Sequence, residues 1–170
     1  MMRLERSRRI GWLLIALLAL SMSSNLYAQS QQTPGAPTKS TLEKIARLLD
    51  ESGYSYTKVD EKTWTIKFKG NALSDFNVFI SSTPEGVLVV LVIVAEKKNL
   101  KGKPPEMMYK LLKFGADFVK IGLNDYDDLF VSAELPTRTL DLQEFKDVVE
   151  QVAAAADQVY AMVRPYMTAP

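Results

Sequence analysis

The sequence contains no cysteine and no histidine. Without cysteine there is no disulfide, no thiolate nucleophile, no iron–sulfur cluster, no cysteine zinc site and no thiol to carry a lipid. Without histidine the chain lacks the usual general base near neutral pH and the commonest metal ligand. Serine-protease, zinc-hydrolase and haem chemistry of the familiar kinds therefore lose essential parts. An excess of one charge is also missing, since 21 Lys+Arg stand against 20 Asp+Glu in 170 residues. With 47% hydrophobic and 24% charged residues, the composition excludes a disordered tail, a collagen-like repeat and a disulfide-rich toxin. The length allows one domain whose core needs no metal or crosslink. No spacing of Lys, Asp, Glu, Tyr or Ser supports catalysis, so the expectation is a chain that is not an enzyme and holds no cofactor.

The first segment reads as an address. Arg3, Arg6, Arg8 and Arg9, opposed only by Glu5, precede an apolar run over residues 10–20. A small, polar stretch ending Leu26-Tyr27-Ala28 follows, so residues 1–28 have the three regions of a cleavable secretory signal. The apolar run is well short of the roughly 20 residues that span a bilayer. No stable membrane anchor is expected once the signal is removed. Ser7-Arg8-Arg9 hints at a twin-arginine signal, but Gly11 and Trp12 replace its apolar pair. Cleavage before Gln29 removes four arginines and one glutamate, leaving 17 basic and 19 acidic residues, a formal charge of −2. A near-neutral mature chain has no electrostatic footprint for nucleic acid. The expected location is the periplasm or the cell exterior, where a cysteine-free chain also escapes stray disulfides.

Residues 29–39 are polar, carry Pro34, Gly35 and Pro37, and read as a flexible linker before a domain over 40–167. Ser40-Thr41-Leu42-Glu43 has the form of a capping box, and Leu42, Ile45, Ala46, Leu48 and Leu49 follow at helical spacing up to Gly53. Four strand-like runs come next, over 54–59, 63–69, 76–81 and 87–95. In the second, Trp64, Ile66 and Phe68 alternate with polar residues, so one face is buried and the other wet. Residues 87–94 are apolar without interruption, which calls for cover on both faces: helices on one, and a partner subunit as a candidate for the other. Pro104 and Pro105 open a second helix carrying Met107, Met108, Leu111, Leu112 and Phe114. Two more strands, over 118–123 and 129–135, flank an Asp-rich turn, and a long helix runs from Asp141 to Pro165. The expected order is α-ββ-ββ-α-ββ-α, an α+β fold with a mainly antiparallel sheet covered by helices.

Certain local sequences resemble the YbjN family of bacterial sensory-transduction regulators. They are the strand ending Ala133-Glu134-Leu135-Pro136 and the helix bearing Ala154, Asp157 and Tyr160 as Ala-x-x-Asp-x-x-Tyr. The resemblance covers residues 40–167. It implies the fold of type III secretion chaperones, a homodimer and no catalytic residues.

Several clusters admit a ligand reading beside a plainer one. Asn124, Asp125, Asp127 and Asp128 offer hard oxygens for calcium, yet lack the glycine and distant glutamate of an EF-hand register and fit a hairpin turn. Lys97, Lys98, Lys101 and Lys103 suit a phosphate or an anionic headgroup, or simply keep the neighbouring apolar strand soluble. Tyr54, Tyr56, Trp64, Phe68, Phe76 and Phe79 line either a ligand groove or the core. Glu134, Arg138 and Asp141 make an acid pair only if the fold brings them together. The expected work is protein binding, chaperone-like or regulatory, by a homodimer that also meets an unknown protein. Its candidate partner or dimer surface is Val87, Val89, Leu91 and Ile93 on the strand with Met107, Met108 and Leu111 on the second helix. The alternative is a small-molecule or lipid pocket between sheet and helices.

Overall fold

A computed structural model describes residues 38–114 and 119–168; the candidate address and the linker up to residue 37 lie outside the described residues. Helix α1 (Lys39–Ser52) is capped by Thr38, whose side chain accepts the backbone N–H of Thr41 at 3.3 Å. The helix therefore opens just before the expected box at Ser40. Glu43 is not needed at the cap and faces Lys39 instead, at 3.7 Å.

Three hairpins and two further helices follow. They are β1 (Tyr56–Lys58) with β2 (Thr63–Phe68), β3 (Phe76–Ser82) with β4 (Val87–Ala95), helix α2 (Pro105–Lys113), β5 (Lys120–Leu123) with β6 (Leu129–Pro136), and helix α3 (Leu142–Val163). The strands form a six-stranded sheet in the order β1-β2-β3-β4-β6-β5, with every neighbouring pair antiparallel. The fold is thus α+β with the expected element order. Strand β1 is shorter than the run 54–59: Tyr54 lies outside the ladder, with its hydroxyl bonded to Glu150 of α3 and its ring packed against Phe68.

Asp141 starts α3 by accepting the N–H of Glu144 at 2.8 Å, and Pro165 converts the helix into a single 3-10 turn. Leu100 and Met167 then form an antiparallel bridge that ties the chain's last described residues to the segment after β4. Phe145, Val149, Val152, Ala156, Val159 and Val163 are among nine buried residues of α3. Burial of each large aliphatic side chain is worth about 1.5–3 kcal/mol, so tertiary packing rather than helix propensity holds α3 in place.

The core lies between one face of the sheet and the helices. Leu88, Val90 and Val92 of β4 and Val131 and Ala133 of β6 meet α3 there, joined by Ile45, Leu48 and Leu49 of α1. Buried Ala153, Ala155 and Ala156 let the helix backbone approach closely. A bulge between Ile93 and Ala95 breaks the alternation at the end of β4, and both Val94 and Ala95 are buried.

Candidate partner surface

The uninterrupted apolar run of β4 divides by parity. Leu88, Val90 and Val92 face the helices and are fully buried. Val87, Val89, Leu91 and Ile93 point to the other face and are only half-buried. Among the described residues no helix covers that face. Cross-strand register sets Phe79 of β3 beside Leu91 and Phe130 of β6 beside Ile93, so the apolar stripe widens on both sides. Thr63, Thr65, Lys67 and Asn77 make its margin on one side and Lys120 and Glu134 on the other, the last two paired at 2.8 Å. An apolar centre with a polar rim is the layout of a protein interface.

The second helix corrects part of the expected surface. Met107 and Leu111 are 2% and 6% exposed and belong to the core, so they are not available to a partner. Met108 is half-buried, whereas Tyr109 and Leu112 are 57% and 82% exposed. The sequence showed α2 to be amphipathic but did not identify which of its apolar residues look outward. Phe130 was missed as well. Its ring lies over Gly122 of β5, where a Cβ would come within 2.7 Å of the ring. The signal for it was a glycine opposite an aromatic on an adjacent strand.

The charged clusters neutralise one another. Asp127 pairs with Lys103 at 2.6 Å and with Lys97 at 2.9 Å, and Asp128 accepts the Lys97 backbone N–H at 2.9 Å. Hydrogen bonds from Lys103 and then Lys97 hold the Asp127 carboxyl down at about 2. Lys98 pairs with Glu96. The basic loop and the acidic turn are thus a clasp between the end of β4 and the β5–β6 hairpin. Asn124 closes the turn by accepting the N–H groups of Tyr126 and Asp128, both at 2.9 Å. Among the described residues no three acidic side chains gather as a metal-ligand set. Glu134 and Asp141 are likewise spent separately, on Lys120 and on the α3 cap.

Of the candidate groove aromatics, Trp64 is in the core, and Tyr54, Tyr56, Phe68 and Phe76 pack against it. Burial first, and the bond to Glu150 second, push the Tyr54 hydroxyl well above its ordinary value. Phe68 and Phe76 stack at 6.1 Å and, with Ala153, Ala154 and Asp157 of α3, line an open groove of about 350 Å³. Asp157 builds one wall of it by accepting the backbone N–H groups of Leu73, Ala72 and Asn71 at 2.7, 2.8 and 3.1 Å. Those bonds, Leu73 foremost, lower its pKa.

No family model and no curated protein matches this sequence. Solved structures do. A chain of the heterodimeric ExoU-SpcU complex, from the type III secretion system of Pseudomonas aeruginosa, superposes with a TM-score of 0.52 at 15% identity, over 71% of this chain and 98% of that one. A chain of the ExsC-ExsE complex gives 0.53 at 12% identity, over 76% and 97%. A chain of the complex of the Yersinia pestis type III secretion chaperone SycH gives 0.49 at 14% identity, over 70% and 98%. The fold is type III secretion chaperone-like. At such identities the likeness is one of fold.

Proposed function

We propose that this chain is a non-catalytic protein-binding module, chaperone-like or regulatory, that acts as a homodimer. The observation that carries the reading is the stripe of Val87, Val89, Leu91 and Ile93, flanked by Phe79 and Phe130, on the sheet face that no described helix covers. A contiguous apolar patch with a polar rim favours a protein partner over solvent. The fold supports the same reading, since two of its likenesses were solved within two-protein complexes. The resemblance of Ala133-Glu134-Leu135-Pro136 and of the Asp157 helix to the YbjN family supports a regulatory role. The candidate signal over residues 1–28 supports work in the periplasm or outside the cell.

Sedimentation velocity of the chain purified from a bacterial host, with N-terminal sequencing of the product, tests this reading. A dimer that begins near Gln29 is expected. A monomer at all concentrations would remove the homodimer, and an intact Met1 would remove the cleaved signal. The groove beside Phe68 and Phe76 favours a second reading, a small apolar ligand or lipid. Native mass spectrometry separates the two: a bound lipid mass supports the groove, and a ligand-free dimer supports the stripe.

A further inference from the structure

The groove between the β2–β3 hairpin and α3 is lined by two carboxylates as well as by Phe68 and Phe76. Glu150, Ala153, Ala154 and Asp157 recur at spacings of three and four and so share one face of α3. At a rise of 1.5 Å per residue, Glu150 and Asp157 stand about 10 Å apart along the helix. Ala153 and Ala154 lie between them and keep that stretch of the groove open, while the stacked phenyl rings supply the rest of its apolar lining. Each acid is held in place and still has an oxygen to offer. The Tyr54 hydroxyl donates to Oε1 of Glu150 at 2.9 Å, and among the described residues no group donates to Oε2. Leu73 and Ala72 donate to Oδ1 of Asp157, whereas Oδ2 accepts only the N–H of Asn71. A carboxylate oxygen has two lone pairs, so Oε2 and Oδ2 retain acceptor capacity. Lys69 also lines the groove, but it is exposed and among the described residues pairs with neither acid. Two negative charges therefore face one positive charge at an apolar channel.

We propose that this groove binds a linear diamine or polyamine, with one ammonium at Glu150, another at Asp157 and the methylene chain laid over Ala153 and Ala154. The proposal deepens the groove reading above, on which it rests, and is independent of the homodimer. A neutral or anionic lipid tail would use the rings and leave both carboxylates without a partner or repelled. A simple metal ion would use the carboxylates and leave the rings idle. A chain with a cation at each end uses both. Its ammonium groups make charge-assisted hydrogen bonds to Oε2 and Oδ2, its methylenes cover the alanines, and the electron-rich faces of Phe68 and Phe76 favour a cation nearby. The volume of about 350 Å³ is of the size that small ligands occupy. The two acids cost no reorganisation on binding, because Tyr54 and the loop at 71–73 already orient them.

Calorimetric titration of the purified chain with three probes of equal chain length tests the proposal: octamethylenediamine, octylamine and octanoate. The diamine is expected to bind about tenfold or more tighter than the monoamine, because a second charge-assisted contact is made, and octanoate is expected not to bind. Glu150→Gln keeps an acceptor for Tyr54 and should bring the diamine down to the affinity of octylamine. Ala154→Leu, at an exposed position, should fill the groove and abolish binding of both amines. Lys69→Ala removes the competing cation and should tighten the diamine. Circular dichroism of each variant checks that the fold is kept, and if Glu150→Gln unfolds, Ala154→Leu and Lys69→Ala decide. Octanoate binding in place of the diamine overturns the cationic ligand while the groove reading stands. Diamine binding that all three variants leave unchanged overturns the site. No binding by any probe overturns the proposal and the groove reading together, and leaves the homodimer untouched.

Discussion

Asp157, in the middle of α3, holds the backbone N–H of Leu73 at 2.7 Å and so latches the β2–β3 loop onto the helix. Its carboxylate also fills the space that a Cβ on Gly70 would need. Asp157→Ala is expected to lower stability by about 1–2 kcal/mol, discounted for partial exposure, and to raise hydrogen exchange at Asn71, Ala72 and Leu73. Gly70→Ala should produce the same exchange pattern. Urea unfolding and amide exchange check both, and unchanged exchange in that loop would exclude the latch.

The clasp at Asp127 carries a pH signature. Its carboxyl lies at about 2 in the folded chain, below the ordinary 3.8, because Lys103 and Lys97 stabilise the charged form. A depressed folded value means that the clasp is fully present above about pH 4, the unfolded range for aspartate, and is lost as pH falls through the folded value. The Asp127 side chain is expected to titrate near pH 2 by NMR. Asp127→Asn should abolish that step, and salt should weaken it.

Parity along β4 predicts opposite outcomes for adjacent residues. Val90→Asp places a charge in a fully buried site and is expected to unfold the chain or cost more than about 3 kcal/mol. Leu91→Lys adds a charge on the open face and should leave the melting temperature within a few degrees while reducing association. Thermal melts with light scattering separate the two.

The same contrast holds on α2. Met107→Ala is expected to cost about 2–5 kcal/mol, whereas Leu112→Ala, at 82% exposure, should change stability by less than about 0.5 kcal/mol. Equal losses from both in urea unfolding would place the helix in the wrong rotation.

The elements were legible because their signals were local. Trp64, Ile66 and Phe68 alternate, Pro105 opens a helix and Asp141 with Glu144 marks the start of α3, so periodicity and capping reach these elements within a few residues. The site was legible only in part. Val87, Val89, Leu91 and Ile93 share a face by parity, which a strand imposes. Met107, Met108 and Leu111 looked equivalent to Leu112, because a short amphipathic helix does not reveal its rotation. The Lys97–Asp127 clasp and the Asp157 latch join residues far apart in the chain, and no spacing announces a contact made only by the tertiary fold.

The central claim is that the uncovered sheet face is where this chain meets protein. A photoreactive amino acid placed in turn at Leu91 on the open face, at buried Val92 and at exposed Gln143 on α3 tests it inside a bacterial host. Protein adducts are expected from position 91 and not from 92 or 143. Adducts at 143 with none at 91 would move the partner to the helical side and contradict the account.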